Sequence, residues 1–213
     1  MFIELVELLR CVREHEPTWL VATCDRMEGR RIVEGMLGCP ACQTRYPITD
    51  GVADFTLGVE EPRTVAAPEA SEGGALALAA WLNLAEPGGL AVLTGSWASA
   101  AHELAELANV HVLALDAPPN IGGSAAVSVA RVGASLPLRE GVARGIALDE
   151  THASTRYVES AARALTSGGR LLAAVAAPFA GDLVEVARDQ RRWLAMRSAA
   201  PAPVVPLRRA RPL

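Results

Sequence analysis

Residues 39–52 read Cys39-Pro40-Ala41-Cys42-Gln43-Thr44-Arg45-Tyr46-Pro47-Ile48-Thr49-Asp50-Gly51-Val52. Two cysteines separated by two residues can bring both thiolates to one tetrahedral metal ion from a single tight turn, and zinc is the usual ion. After this turn, Pro47 fixes the direction in which the chain leaves, and Asp50-Gly51 is a typical turn pair. The stretch therefore predicts a small β module built around a metal-binding turn.

The same stretch, with its Tyr-Pro-Ile-x-Asp-Gly run, resembles the small zinc-ribbon family of activator subunits of tRNA, rRNA and release-factor methyltransferases and its bacterial relatives. The resemblance implies a zinc ion and a surface near residues 46–51 that docks onto a methyltransferase. The chain departs from the family at the first metal-binding turn. The family has Cys-Pro-x-Cys there, whereas this chain has Cys11-Val12-Arg13-Glu14-His15.

A zinc ribbon has one metal-binding turn before the first hairpin strand and the other after the second, so both turns meet at the same end of the hairpin. This geometry limits the choice of ligands. Cys11, Cys39 and Cys42 supply three of them. The fourth is either His15 or Cys24, and Cys24 lies beyond the first strand, roughly 15 Å from the base of the hairpin at ~3.3 Å per residue. We predict a Cys₃His site of Cys11, His15, Cys39 and Cys42. Four protein ligands would make the zinc structural; a module that has lost zinc is the alternative.

The composition fits one large or two small globular domains, with 213 residues of which 51% are hydrophobic. The formal net charge of −4 argues against a large nucleic-acid-binding surface. No apolar run approaches the roughly 20 residues of a membrane-spanning helix, and the sequence starts without the features of a secretory signal. We therefore expect a cytoplasmic protein with no membrane partner, whose four cysteines favour metal binding over disulfides.

Three segments differ in their patterns. Residues 1–57 hold every cysteine and are predicted to form the zinc-ribbon domain. Residues 58–73 are rich in Pro, Gly and Glu without an apolar period, which is typical of a linker. Residues 74–213 alternate strand-like and helical runs and are predicted to form an α/β domain.

The α/β segment predicts a mostly parallel sheet. Strands are predicted at 89–95, 110–116, 127–132, 145–149 and 170–176, with a terminal edge strand at 204–208. Helices are predicted at 99–108, with Leu104 and Leu107 facing inward, at 157–165, with a glycine cap at 167–169, and at 182–197.

This order of elements resembles the class I S-adenosylmethionine-dependent methyltransferases over about 120 residues. Two motifs support the resemblance: Leu136-Pro137-Leu138 after the third strand and Leu165-Thr166-Ser167-Gly168-Gly169-Arg170 before the fifth. The fold class it implies is α/β, with a Rossmann-like class I methyltransferase-type sheet preceded by a small β zinc-ribbon domain. The resemblance also implies a cofactor site in which Gly95 is the first loop glycine and Asp116 the carboxylate for the ribose hydroxyls.

Other positions of that cofactor site depart from the family. The acidic residue of the first strand is Leu93, the second loop glycine is Trp97, and the two later aspartates are Ala134 and Arg144. An indole where a residue without a Cβ is needed would fill the pocket. We therefore predict a scaffold without S-adenosylmethionine. The alternative is a working cofactor site with an unusual first loop, and the position of Trp97 discriminates between the two.

No catalytic residue is predicted. The run Asp149-Glu150-Thr151-His152 follows the fourth strand, where catalytic groups of open α/β sheets collect, and we interpret it as a solvated loop, with a general base as the alternative. The predicted function is that of a zinc-binding, methyltransferase-like interaction or structural protein. The alternative is an active S-adenosylmethionine-dependent methyltransferase with a built-in activator ribbon. The expected partner is a methyltransferase, a larger assembly or a second copy; nucleic acid is not favoured.

Overall fold

The computed structural model describes residues 1–58, 74–180 and 183–198. The predicted edge strand at 204–208 and all of the predicted linker except Gly58 lie outside these residues. The eleven described strands are β1 (Val21–Glu28), β2 (Arg31–Gly38), β3 (Arg45–Thr49), β4 (Val52–Phe55), β5 (Leu90–Thr94), β6 (His111–Leu115), β7 (Val127–Val132), β8 (Ala143–Ala147), β9 (Leu165–Ala174), β10 (Leu183–Arg188) and β11 (Arg192–Arg197). The described α-helices are α1 (Gly74–Trp81), α2 (Ala101–Ala108) and α3 (Thr155–Ala164), and 3₁₀ helices cover Ile3–Leu8, Gly95–Ala100 and Glu150–His152.

All eleven strands form one sheet in the order β1-β2-β3-β4-β7-β6-β5-β8-β9-β11-β10. The pairs from β4 through β9 are parallel, and the outer pairs on both sides are antiparallel. Counted from β5, the parallel strands β5 to β9 follow the 3-2-1-4-5 order of a doubly wound sheet, which binds ligands where the order reverses. The structure confirms the predicted Rossmann-like class I methyltransferase-type sheet and places the reversal between β5 and β8.

The central strands are apolar along their whole length because helices and loops cover both faces of a parallel sheet. Every residue of β5 is buried. In α2, Leu104 is fully buried as predicted, whereas Leu107 is 52% exposed, so the prediction that both face inward was wrong for Leu107. The helix α1, which packs against α2, was not predicted.

The N-terminal β region joins this sheet directly. Strand β4 pairs in parallel with β7, with Val52 opposite Val129 and Phe55 opposite Val132. The rings of Tyr46 and Phe55 lie 4.7 Å apart, and both side chains are buried in the core that continues under the parallel strands. The region carrying the cysteines is therefore built onto the edge of the α/β sheet; the predicted boundaries 1–57, 58–73 and 74–213 stay a prediction.

The predicted helix at 182–197 was wrong. Its described residues form the hairpin of β10 and β11, and β11 pairs antiparallel with β9. The Asp189 carboxylate accepts hydrogen bonds from the N–H groups of Arg191 and Arg192, both at 2.7 Å, and so holds the turn. Buried Trp193 and the β-branched residues of β10 suit a pleated sheet better than a helix.

The predicted glycine cap at 167–169 was also wrong. Helix α3 ends at Ala164, and β9 begins at the next residue. Gly168, with φ at +77°, instead lies inside the first half of β9. A positive φ in a strand is a feature of a bulge, and glycine adopts it without a steric cost.

Candidate metal centre and cofactor cleft

The side chains of Cys11, His15, Cys39 and Cys42 converge at one point. Their ligand atoms, three Sγ and one imidazole nitrogen, all lie within 4.8 Å of one another. The structure thus brings together the four residues that the sequence selected, and the group could hold a metal ion.

The distances within this group match a tetrahedral site. The Sγ atoms of Cys11 and Cys42 are 3.7 Å apart, and the Cys39 Sγ lies 3.5 Å from the His15 Nε2. Tetrahedral zinc with Zn–S near 2.3 Å and Zn–N near 2.0 Å requires edges of about 3.8 Å and about 3.5 Å, respectively. The residues therefore fit zinc in both donor type and spacing.

Backbone hydrogen bonds fix the two turns that carry the ligands. In the first, the Cys11 N–H donates to the Thr18 carbonyl at 3.2 Å and closes the loop that contains His15. In the second, at the end of β2, the Cys39 N–H donates to the Thr44 carbonyl and the Gln43 N–H to the Cys39 carbonyl, both at 2.9 Å. Gln43 has φ at +59°, which turns the chain sharply after Cys42.

The imidazole of His15 is oriented by its own backbone neighbour. Its Nδ1 lies 2.6 Å from the Glu16 carbonyl oxygen, which can only accept, so Nδ1 carries the proton. The other nitrogen, Nε2, then has a free lone pair and faces Cys39. Such an outer hydrogen bond is how metal-binding histidines are held in one tautomer.

The three thiols differ in their surroundings. Burial raises the pKa of Cys11, although the Tyr46 hydroxyl, 3.1 Å from its sulfur, opposes this effect. Cys42 is exposed, and its hydrogen bonds with the Thr44 hydroxyl and the Thr44 backbone lower the pKa of its thiol to about 6. Cys24 lies apart from the group, exposed on β1 opposite Gly35, as a spare thiol would.

Gly95 and Asp116 lie at the carboxyl ends of neighbouring strands, β5 and β6. Gly95 has φ at +49°, and a Cβ added there would lie 1.9 Å from the Asp149 Oδ2. The Asp116 carboxylate accepts a hydrogen bond from the Val132 N–H at 3.0 Å and another from His152. Both residues predicted for the cofactor therefore contact groups of the protein itself.

A chain of three side chains, the Asp149–His152–Asp116 bridge, spans this edge of the sheet, with Asp149 and His152 buried and Asp116 partly buried. His152 Nδ1 lies 2.5 Å from the Asp149 Oδ1, and its Nε2 lies 3.0 Å from the Asp116 Oδ2. Asp149 also accepts hydrogen bonds from the Ser96 N–H at 3.1 Å and the Thr94 hydroxyl at 3.2 Å. His152 is 1% and Asp149 6% exposed, so the interpretation of this run as a solvated loop was wrong for these two residues, whereas Glu150 and Thr151 are exposed.

The bridge favours a protonated histidine between two carboxylates. Burial lowers the pKa of His152, but the hydrogen bonds and charges of Asp116 and Asp149 outweigh it and raise the pKa overall. Burial likewise raises the pKa of Asp149, and the hydrogen bond and charge of His152 outweigh it, so the net pKa is lowered. An imidazolium donates one hydrogen bond to each carboxylate, so all three charged groups have a partner of opposite charge.

Trp97 lies outside the cleft between Gly95 and Asp116. Its ring meets that of Trp81 edge-on at 6.3 Å, and the Arg192 guanidinium lies 5.6 Å from its centroid. The indole therefore packs against α1 and β11, so the expectation that Trp97 fills the cofactor position was wrong; His152 instead lies between the Asp149 and Asp116 carboxylates.

The other departures from the methyltransferase pattern have separate roles. Leu93 is fully buried in the core, and Arg144 donates to the Gly88 carbonyl at 2.7 Å, which ties β8 to the turn before β5. Ala134 is exposed in the wall of a large cleft of about 2160 Å³. This cleft runs from the first metal-binding turn to the carboxyl edge of β6 and β7, and Asp116 and Tyr157 also line it.

Solved structures with a similar fold include several methyltransferases and the [4+2]-cyclase SpnF. Geranyl diphosphate methyltransferase in complex with SAM aligns at a TM-score of 0.38 and 16% identity over 46% of this chain and 46% of its own. Phosphoethanolamine N-methyltransferase 2 of Haemonchus contortus aligns at 0.40 and 16% over 50% of this chain and 28% of its own. The 16S rRNA N2 G1207 methyltransferase RsmC of T. thermophilus aligns at 0.33 and 21% over 80% of this chain and 47% of its own.

This chain thus spans 46%, 28% and 47% of the lengths of these three proteins. At such low identities and TM-scores the likenesses carry no argument about function, and the fold assignment rests on the strand order. No protein-family model matches the chain, and no curated protein does. Among the described helices, none has the length and apolarity needed to cross a bilayer.

Proposed function

We propose that this chain is a zinc-binding, methyltransferase-like protein that catalyses no methyl transfer and serves as an interaction or structural protein. The observation that carries the proposal is the Asp149–His152–Asp116 bridge at the end of β5 and β6. In an open α/β sheet this edge is where a cofactor would approach the backbone.

The bridge disfavours the binding of S-adenosylmethionine in two ways. The Asp149 carboxylate packs against the Gly95 backbone and so takes up the space beside the loop that would approach the cofactor's methionine part. The Asp116 carboxylate, expected to bind ribose hydroxyls, already accepts hydrogen bonds from His152 and the Val132 N–H. Ribose hydroxyls would therefore compete for Asp116 with charge-assisted hydrogen bonds that are costly to lose.

The zinc ion in this proposal is structural. Cys11, His15, Cys39 and Cys42 fill all four positions of a tetrahedral ion, so no position is left for water or substrate. Bound there, zinc would tie the turn after Cys11 to the end of β2. Those turns form one wall of the cleft.

The proposed partner is another protein. The 39–52 stretch resembles the activator subunits of methyltransferases, and we extend that resemblance to a docking role for the N-terminal β region toward a methyltransferase, a larger assembly or a second copy. Size-exclusion chromatography with light scattering tests the second copy directly, because a monomer at all concentrations excludes it.

An active methyltransferase is the second candidate. It is favoured by the position of Trp97, which packs on Trp81 and leaves the space between Gly95 and Asp116 free of the indole, and by the large cleft at the carboxyl edge of β6 and β7, with Asp116 in its wall. The two candidates differ in one property, which is whether S-adenosylmethionine stabilises the folded chain.

A thermal-shift experiment on zinc-loaded protein separates them. Ligand binding raises the melting temperature by mass action, and at a hundredfold excess over Kd it adds about 2.7 kcal/mol of stability. We expect no shift with S-adenosylmethionine or its demethylated product. A saturable rise at micromolar ligand would refute the scaffold proposal and support the enzyme.

A further inference from the structure

The large cleft is lined by five arginines: Arg10, Arg13, Arg131, Arg156 and Arg163. Two of them have acidic partners. Arg156 lies 3.3 Å from Glu14, and Arg131 lies 3.9 Å from Asp54. Arg13 is exposed near the rim, whereas Arg10 and Arg163 are half-buried in the wall.

Arg10 and Arg163, here called the arginine pair, form no ion pair with an acidic side chain among residues 1–58, 74–180 and 183–198. The Nε atoms of both are buried with no hydrogen-bond partner among the residues described. Arg10 precedes Cys11, and its N–H donates to the Pro137 carbonyl, which holds it against the α/β region. Arg163 comes from the last turn of α3. The Leu136 N–H, next to Pro137, donates to the Ser160 hydroxyl at 3.1 Å, one turn before Arg163, so this loop brings Arg10 and Arg163 to the same part of the cleft wall.

The negative groups near the arginine pair are engaged elsewhere or form no ion pair with it in the described part of the chain. A zinc ion with three thiolates and one neutral imidazole carries one net negative charge, which balances only one guanidinium. Asp116 is engaged with His152. Glu159, one turn before Arg163 on α3, lines the same cleft but forms no ion pair with Arg163 in the described part of the chain. Both guanidinium groups are therefore able to contact an anionic ligand, since neither forms an ion pair within the described residues.

We propose that Arg10 and Arg163 form an anion site that takes the phosphate group of a phosphorylated small molecule, with the rest of that molecule lying in the cleft. Two guanidinium forks can bind one phosphate through several charge-assisted hydrogen bonds. The cleft, of about 2160 Å³, exceeds the usual volume of a small-molecule pocket. The net charge of −4 disfavours a nucleic-acid backbone as the source of the phosphate. This site stands independently of whether the chain is an enzyme.

The test is calorimetric titration of the full, zinc-loaded chain with inorganic phosphate and with pyrophosphate. The variants are Arg10→Gln and Arg163→Gln, and Arg156→Gln is the matched control from the same cleft. Each pair variant should weaken binding about tenfold or more, whereas the control should stay within about twofold. Glu159→Gln should tighten binding, because it removes a competing carboxylate without touching the pair.

Other results would overturn the site. Absence of saturable binding to both probes, or equal affinity in all variants, would exclude it. Loss of zinc from Arg10→Gln or Arg163→Gln, measured by metal analysis of the same samples, would assign the pair to the metal centre. Binding of a single-stranded RNA far tighter than pyrophosphate, and lost in the same variants, would replace the small molecule with nucleic acid.

Discussion

Cys39 is the ligand whose loss should affect the metal centre most clearly, because it is buried and its sulfur lies 3.5 Å from His15. Cys39→Ser should lower the zinc affinity about a hundredfold or more, since serine is a poor ligand for zinc. Metal analysis after dialysis against a zinc buffer measures this change. Cys24→Ser is the matched control, because that thiol is exposed and outside the group. Zinc loss from Cys24→Ser, with His15→Ala neutral, would contradict the ligand set.

His152 hydrogen-bonds to two carboxylates, buried Asp149 and partly buried Asp116, so its removal should lower the free energy of unfolding. His152→Ala leaves Asp149 and Asp116 without their shared partner and should reduce the free energy of unfolding by about 3–5 kcal/mol at pH 6. Urea denaturation followed by circular dichroism measures the change. His102→Ala, at an exposed histidine, serves as the control and should be nearly neutral.

The same bridge predicts a pH dependence. The pKa of His152 is raised on folding, so its contribution is fully present below the unfolded value of about 6.5 and is lost as pH rises through the higher folded value. The pKa of Asp149 is lowered, so its contribution is present above about 3.9 and is lost as pH falls through the folded value. The stability difference between wild type and His152→Ala should therefore shrink above pH ~6.5; a constant difference up to pH 9 would contradict a charged bridge.

The metal ligands and the bridge differ in how far the sequence reveals them. Cys11 with His15, and Cys39 with Cys42, are two short local spacings that one hairpin brings together, so the pattern alone selects them. The bridge joins His152 to residue 116, which is 36 positions away, and Asp149 to Thr94, which is 55 positions away. Such contacts depend on strand order. The sequence pattern that could have indicated the bridge was an acidic residue after each of two parallel strands, Asp116 and Asp149. A histidine, His152, follows the second acidic residue by three positions.

At the level of the elements, β11 anchors the edge hairpin through Trp193. The side chain is fully buried, and its Nε1 donates to the Ala177 carbonyl at 3.1 Å. Trp193→Ala should cost about 3–5 kcal/mol of stability, from the cavity and the lost hydrogen bond. Chemical denaturation measures it, and Trp19→Ala, at a ring that is 67% exposed, is the matched control with a small expected effect. Equal effects would contradict the hairpin.

The elements show which sequence patterns were informative. Buried apolar runs such as β5 and β6 were predicted because central parallel strands have few polar residues. The β10–β11 hairpin was mistaken for a helix because its apolar and basic residues also fit a helical period. The pairing of β11 with β9 makes these residues strands rather than a helix, because such long-range pairing overrides local propensity.

At the scale of the whole molecule, the parallel pairing of β4 with β7 makes the metal-binding region part of one sheet. Removal of zinc with a chelator should therefore lower the midpoint of a single unfolding transition, seen alike by tryptophan fluorescence and far-UV circular dichroism. The control is Cys24→Ser with and without chelator, which should behave as wild type. Two separate transitions, of which only one responds to the chelator, would contradict this coupling.

We propose that the chain keeps a methyltransferase-type sheet whose cofactor position is closed by its own residues. Isothermal titration calorimetry of the zinc-loaded chain with S-adenosylhomocysteine tests it most directly, because this product binds without turnover. We expect no saturable binding, with any Kd weaker than about 1 mM. A stoichiometric isotherm with a micromolar Kd would contradict it, since the Asp149–His152–Asp116 bridge would then have to open at little cost.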